Sequence, residues 1–117
     1  MKPTVTIAHE QKLITSIFVG VMSSADMNDY FERFMMEIPS SAGYHEIVDF
    51  TGVNKFEINY NDFRLFAGKA AEVFRSGRVA ITEFVISNNL QLGMARMFSE
   101  MADEGEVEFI YTKRNWG

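Results

Sequence analysis

Hydrophobic and polar residues follow two patterns along the chain, one typical of strands and one typical of helices. Residues 4–8 and 13–20 are rich in Val, Ile and Thr, which favour a pleated, half-buried surface. The polar residues 9–12 between them suit a hairpin connection. Residues 44–50, 78–87 and 106–112 have similar strand character, so the pattern predicts five strands.

Three longer segments instead carry apolar residues at three- and four-residue steps, which places them on one face of a helix. Ser23 or Ser24 can cap the first helix and Pro39 ends it. The second begins near Asn61–Asp62 and stops at Ser76–Gly77. The third follows Asn88–Asn89, ends at Gly105 and contains Gly93, for which we expect a close approach of another segment. The apolar stripes are Met27, Tyr30, Phe31, Phe34, Met35 and Ile38, then Phe63, Phe66, Ala67, Ala70 and Phe74, then Leu90, Met94, Met97, Phe98 and Met101.

The order β-β-α-β-α-β-α-β predicts an α/β fold with a mixed, mostly parallel sheet of about five strands and three helices. A length of 117 residues predicts a single domain over residues 1–117. Ligands of such sheets usually bind beyond the carboxyl ends of the strands. These ends are predicted at residues 20–23, 49–53, 87–89 and from 112 onward.

Composition and charge exclude several classes of function. The chain has no cysteine, which rules out disulfides and thiolate chemistry, and its formal net charge of -5 argues against a nucleic-acid partner. No apolar run approaches the ~18 residues that a membrane span needs. The first residues lack a signal-peptide pattern, so we expect a cytoplasmic protein.

Asp49 is the most conspicuous candidate for chemistry, because it ends an apolar run and precedes Thr51–Gly52. A phosphoacceptor aspartate needs further carboxylates for Mg²⁺ and a Lys beside it. The neighbouring strand ends supply neither, so this reading is rejected. The alternative is structural, with Asp49 capping a turn at Thr51–Gly52.

The segment Val48-Asp49-Phe50-Thr51-Gly52-Val53 resembles the STAS superfamily, named for sulfate transporters and anti-sigma-factor antagonists. In that family the third strand commonly reads apolar-Asp-Leu-Ser-Gly-Val. The segments "ITSIFVGVMSSADMNDYF" and "VISNNLQLGMARMF" are also similar to the family, the latter to its stand-alone, antagonist-like branch. The resemblance implies a regulatory protein that works by binding.

Two departures from the family pattern qualify that implication. Regulatory members open the second helix with Asp-Ser-Ser-Gly, whose Ser is phosphorylated. Here the block falls on Glu57-Ile58-Asn59-Tyr60, so Ile58 replaces the phosphoacceptor and we expect no kinase switch at this position. Many relatives also continue into another helix after the last strand, whereas this sequence reads "TKRNWG".

The remaining candidate sites are weaker. His9–Glu10 and His45–Glu46 each pair possible metal ligands, but neighbours in a strand point to opposite faces, so we expect no metal site. The 8 Met and 11 Phe residues most simply form an adaptable core. The other reading is an apolar ligand cavity between helices and sheet, by analogy with the similar CRAL-TRIO lipid-binding fold.

The sequence thus predicts a non-enzymatic STAS-like domain that binds a protein partner or a small apolar ligand, without a cofactor. The alternative is a small enzyme that uses Asp49 with Asn88 or Asn89. A homodimer that buries Trp116 or the last strand is also predicted, against the alternative that Trp116 folds back on its own subunit. The candidate binding residues are Asp49, Thr51, Gly52, Asn54, Asn88, Asn89 and Arg96.

Overall fold

The computed structural model describes residues 2–102 and 107–116, and within them it contains five strands and three helices in the predicted order. The strands are β1 (Thr4–Ala8), β2 (Leu13–Ser23), β3 (Tyr44–Glu57), β4 (Val79–Ile86) and β5 (Glu108–Lys113). The helices are α1 (Ser24–Glu37), α2 (Tyr60–Arg75) and α3 (Asn89–Ala102). The predicted helix end at Gly105 and strand start at Glu106 lie outside the described residues.

The strands form one sheet in the order β1-β2-β3-β4-β5, with β1 antiparallel to β2 and the other neighbours parallel. Each parallel step moves in the same direction across the sheet, so right-handed crossovers place all three helices on one face. In agreement, α2 contacts both α1 and α3, and every helix contacts the sheet. The predicted α/β class and strand arrangement are confirmed.

The core lies between the helices and the inner face of the sheet. Alternate residues of β2 and β3, among them Phe18 and Phe50, are almost fully buried. The residues between them point to the opposite face, where β2 exposes Ile17, Val19 and Val21. One face therefore supplies the core, and the other lies open to solvent in the part of the chain that the structure describes.

Capping residues set where the first two helices begin. Ser23 caps α1, and its side chain and that of Asp26 form a reciprocal capping box. Ile38 has an extended backbone, because it precedes Pro39. Helix α2 begins at Tyr60, one or two positions before the predicted start, since Asn59 is the cap and its Oδ1 accepts from the Asp62 N–H at 2.9 Å.

Strand β3 is longer than the sequence predicted, because the segment read as a turn at Thr51–Gly52 is part of the strand. Between the pairs Ile17–Asp49 and Val19–Gly52, β3 advances one residue more than β2, and the same happens again after Gly20–Val53. These irregularities are β-bulges, which accommodate extra residues without ending the strand. A Cβ on Gly52 would lie 3.2 Å from the Phe18 carbonyl oxygen, so glycine permits this close approach.

The expectation for Gly93 was also wrong, because a Cβ there would meet no described atom within 4 Å. We therefore expect Gly93→Ala to raise the free energy of unfolding by up to about 1 kcal/mol, through helix propensity alone. Gly52→Ala provides the opposite case and should destabilise, since the added methyl group crowds backbone atoms. Urea unfolding of both variants measures the difference. Destabilisation by Gly93→Ala would show that the glycine permits a close approach of another segment.

Candidate functional site

The predicted site residue Asp49 lies in the middle of β3 on the open face of the sheet. Its Oδ1 accepts hydrogen bonds from the Thr51 N–H at 2.8 Å and the Thr51 hydroxyl at 2.6 Å. Its Oδ2 accepts from Arg114 Nη1 at 3.3 Å. Asp49 thus holds the first bulge of β3 and ties the segment after β5 to the sheet, and both of its oxygens already have partners.

Gln91, which is not among the predicted site residues, joins the carboxyl end of β4 to β3. Its side chain is buried at 1% exposure. Oε1 accepts from the Ser87 N–H at 2.7 Å, while Nε2 donates to the Val53 carbonyl at 2.9 Å and, more weakly, to Thr51 at 3.4 Å. β4 pairs with β3 only as far as Asp49, so Gln91 satisfies backbone carbonyls of β3 beyond the point where β4 ends its pairing.

Asn88 is the cap of α3, as predicted. Its Oδ1 accepts from the Gln91 N–H at 2.9 Å, which fixes the helix start beside Ser87. The sequence signal for Gln91 was available in principle, since a Gln three residues after an Asn cap is the spacing of a capping motif. Its long-range bonds to β3 could not be read from that spacing.

The other predicted site residues do not converge on Asp49. Gly52, Asn54, Asn89 and Arg96 are all exposed. Within the described residues, no hydrogen bond joins the side chain of Asn54, Asn89 or Arg96 to Asp49. Of the groups named for the alternative enzyme, Asp49 and Asn88 have their oxygens engaged in bonds that hold the backbone, and Asn89 is exposed. Their geometry favours structural roles over chemistry.

A buried polar network lies on the inner face of the sheet around Glu46, which the sequence pattern offered only as a possible metal ligand. Glu46 is 2% exposed. Its Oε2 accepts from the Tyr30 hydroxyl at 2.6 Å, and its Oε1 accepts from the Thr82 hydroxyl at 2.9 Å. The Ser16 hydroxyl lies 2.6 Å from that of Tyr30 and completes the network. The network connects α1 with strands β2, β3 and β4.

Burial controls the proton affinity of this network. Removal from water raises the pKa of Glu46 from 4.5 to about 7, although the hydrogen bonds from Tyr30 and Thr82 act in the opposite direction. Burial also raises the pKa of Tyr30 well above its usual value, and the negative charge of Glu46 adds to the effect. The core therefore contains a carboxyl group whose pKa lies near neutrality.

A small cavity of about 20 Å³ adjoins Glu46. That volume suffices for about one water molecule, whereas an engineered cavity that binds benzene measures about 150 Å³. Aromatic rings form most of its wall. The lining residues are Phe18, Met27, Tyr30, Phe31, Glu46, Val48, Phe50, Ala70, Phe74, Thr82, Phe84 and Phe98.

The start of α2 lies between the core and a groove at the surface. Ile58 precedes the cap Asn59 and packs against the core. Between the first turns of α1 and α2 lies a groove of about 140 Å³ lined by Ser24, Asn28, Asp62 and Leu65. Leu65 is 69% exposed at this groove, which we name the α1–α2 groove.

The pair His45–Glu46 is arranged as strand alternation predicts, whereas His9–Glu10 lies in the turn between β1 and β2, where alternation does not apply. His45 faces the open side of the sheet, with Nε2 3.3 Å from Glu83 Oε1, whereas Glu46 is buried on the other side. Within residues 2–102 and 107–116, no group of three or more His, Asp or Glu side chains is placed to hold a metal ion. In the same residues, no helix is both long and apolar enough to cross a membrane.

Among solved structures, the chain is similar to an uncharacterized protein of the DUF3478 family with a SpoIIAA-like fold from Shewanella loihica PV-4. The TM-score is 0.59 at 13% sequence identity, and the alignment covers 94% of this chain and 85% of that one. Neither protein-family models nor curated protein sequences match the chain. The likeness shows that the chain has a SpoIIAA-like fold, which confirms the STAS-like architecture that the sequence resemblance predicted.

Proposed function

We propose that the chain is a non-enzymatic, STAS-like binding domain whose ligand is another protein. The observation that carries the proposal is the exposed Leu65 beside the α1–α2 groove, since protein interfaces combine an apolar centre with a polar rim. Asn54, Asn89 and Arg96 are exposed and stay candidate binding residues. A cytoplasmic location stays a prediction.

The start of α2 supports a mode of binding that is independent of phosphorylation at that position. Ile58 has no hydroxyl group and its side chain contacts the core, so a kinase has nothing to modify there. Phosphorylation of Thr51 is disfavoured as well, because its hydroxyl is engaged by Asp49. The partner is thus expected to bind without a phosphoryl group at either residue.

A small apolar ligand is the second candidate, and the aromatic wall of the cavity beside Glu46 favours it. The volume of about 20 Å³ excludes even a benzene-sized molecule unless the helices move away from the sheet. This candidate therefore requires an open state of the molecule. Native mass spectrometry of the purified protein tests it, since a retained ligand appears as an added mass.

The partner hypothesis is tested with matched surface variants. Leu65→Glu and Met36→Glu place the same charge on exposed apolar positions, but only Leu65 borders the α1–α2 groove. After cross-linking in the native host, we expect wild type and Met36→Glu to retain the same partner. The amount of partner retained by Leu65→Glu should be at least tenfold lower. Equal retention by both variants would contradict this location, and no reproducible partner for any variant would contradict the function.

The predicted homodimer remains a proposal, and the structure changes how it is tested. Trp116 packs against the core of its own subunit, with the Lys113 ammonium 4.9 Å from the ring centroid. Ile110 of the edge strand β5 is 36% exposed on the open face. If two copies pair through β5, Ile110→Asp will convert a dimer to a monomer in light scattering, and Met36→Asp will not. A monomeric wild type at micromolar concentration refutes the dimer.

A further inference from the structure

Helix α1 is attached to the interior of the sheet by the hydroxyl group of Tyr30. This group donates to Glu46 of β3 and lies 2.6 Å from the hydroxyl of Ser16 in β2. Thr82 extends the network to β4. Because all four side chains are buried, their bonds are shielded from competition with water and depend on one another.

In the part of the chain that the structure describes, no positive charge lies against Glu46 to balance its ionised form. Among described residues, α2 contributes Ala70 and Phe74 beside it, and α3 contributes Phe98. The sheet contributes the uncharged Ser16 and Thr82 together with apolar side chains, and Tyr30 is the titratable group that touches Glu46. The nearest relevant cation on α1 is Arg33, whose side chain is 43% exposed and pairs with Glu37.

The two protonation states of Glu46 therefore differ in the hydrogen bonds and the solvation that they require. The neutral acid can donate one hydrogen bond and accept another within the network, so it is satisfied without water. The carboxylate accepts from Tyr30 and Thr82 but stays uncompensated in an apolar surrounding, which costs several kcal/mol in general. Water is the available means of solvating it, and the adjoining cavity of about 20 Å³ offers the first place for water to enter.

We propose that Ser16, Tyr30, Glu46 and Thr82 form a proton-controlled latch, in which loss of the Glu46 proton to solvent hydrates the cavity and loosens α1 from the sheet. The pKa of about 7 places the transition near neutrality. The latch is a property of this chain and does not depend on the proposed function. It does supply the open state that an apolar ligand would require.

Hydrogen exchange of the backbone amides tests the latch directly. Exchange is measured at about pH 6 and pH 8.5 and corrected for the intrinsic dependence of the chemical rate on pH. If α1 opens and exposes Glu46 to water, the protection factors of the α1 amides should fall roughly tenfold from about pH 6 to pH 8.5, as proton linkage requires. Glu46→Gln should abolish the fall, because the amide has a similar shape but no proton to lose. Glu57→Gln, an exposed position on the same strand, should retain it.

Strand β4 supplies the internal reference that separates local opening from global unfolding. In wild type at about pH 8.5, the amides of α1 should exchange faster than those at the centre of β4. An identical pH dependence of exchange in both elements would overturn the latch. A ¹³C NMR titration of the Glu46 carboxyl group in wild type requires no variant. A carboxyl group that titrates near pH 4.5, or an unchanged pH response of α1 in Glu46→Gln, also refutes the proposal.

Discussion

Replacing Glu46 by Gln should remove about 2 kcal/mol of pH dependence from the free energy of unfolding between about pH 5.5 and pH 8.5. In wild type the folded pKa is about 7, above the value of 4.5 expected in the unfolded chain. As pH rises through this window, the unfolded chain releases the proton before the folded chain does. Stability therefore falls by about 1.4 kcal/mol per pH unit until the folded group also ionises near pH 7.

The sign of the effect follows from burial of an acid. Full stability is present below about pH 4.5, where both states are protonated, and it is lost as pH approaches 7. Glu46→Gln has no such loss, so if it matches wild type below about pH 4.5, it should exceed wild type by about 1.4 kcal/mol near pH 5.5 and by about 3.4 kcal/mol at pH 8.5, a change of about 2 kcal/mol. Urea unfolding across this range measures the difference in the free energy of unfolding between the two proteins. Taking the difference cancels the contributions of the other carboxyl groups.

Glu57→Gln is the control for this experiment, because it makes the same chemical change on β3 at a side chain that is 55% exposed. Its stability should follow that of wild type at every pH. If Glu46→Gln also runs parallel to wild type, then Glu46 is ionised in the folded protein at neutral pH. That result would also remove the basis of the latch.

The sequence predicted the order of elements because the periods of its apolar residues are distinct. Phe31 and Phe34 recur at helical spacing, and Ile14 and Phe18 lie on one face of a strand. The end of β3 was missed for a physical reason. Asp and Gly are typical of turns, but here Gly52 relieves a close contact between backbones inside a paired strand. Such a contact involves β2, which is remote in sequence from Gly52.

The candidate site was less predictable than the fold. Asp49 was recognised as a polar residue at the end of an apolar run, but its partner Arg114 lies 65 positions away. Glu46 could have been noticed, since it shares the buried face of β3 with Tyr44, Val48 and Phe50. A carboxyl group at such a position either has a partner or keeps its proton, and only the structure shows that Tyr30 and Thr82 face it.

Phe50→Ala is expected to have the largest effect on stability, a loss of about 3–5 kcal/mol. The ring is 1% exposed. Its centroid lies 5.6 Å from that of Phe18 on β2, 5.7 Å from that of Phe84 on β4 and 6.1 Å from that of Phe98 on α3. Removing it leaves a cavity among rings that belong to separate elements, and these cannot all move inward to fill it.

The matched control is Phe63→Ala on α2. The ring of Phe63 is only partly buried, and its centroid lies 5.2 Å from that of Phe66. It should lose much less stability, because solvent and mobile surface side chains can fill the space. Phe50→Leu should fall between the two, since it retains part of the volume. Urea unfolding of all three variants ranks them. A loss below about 2 kcal/mol for Phe50→Ala, or a larger loss for Phe63→Ala, would show that the aromatic cluster does not form the rigid centre of this fold.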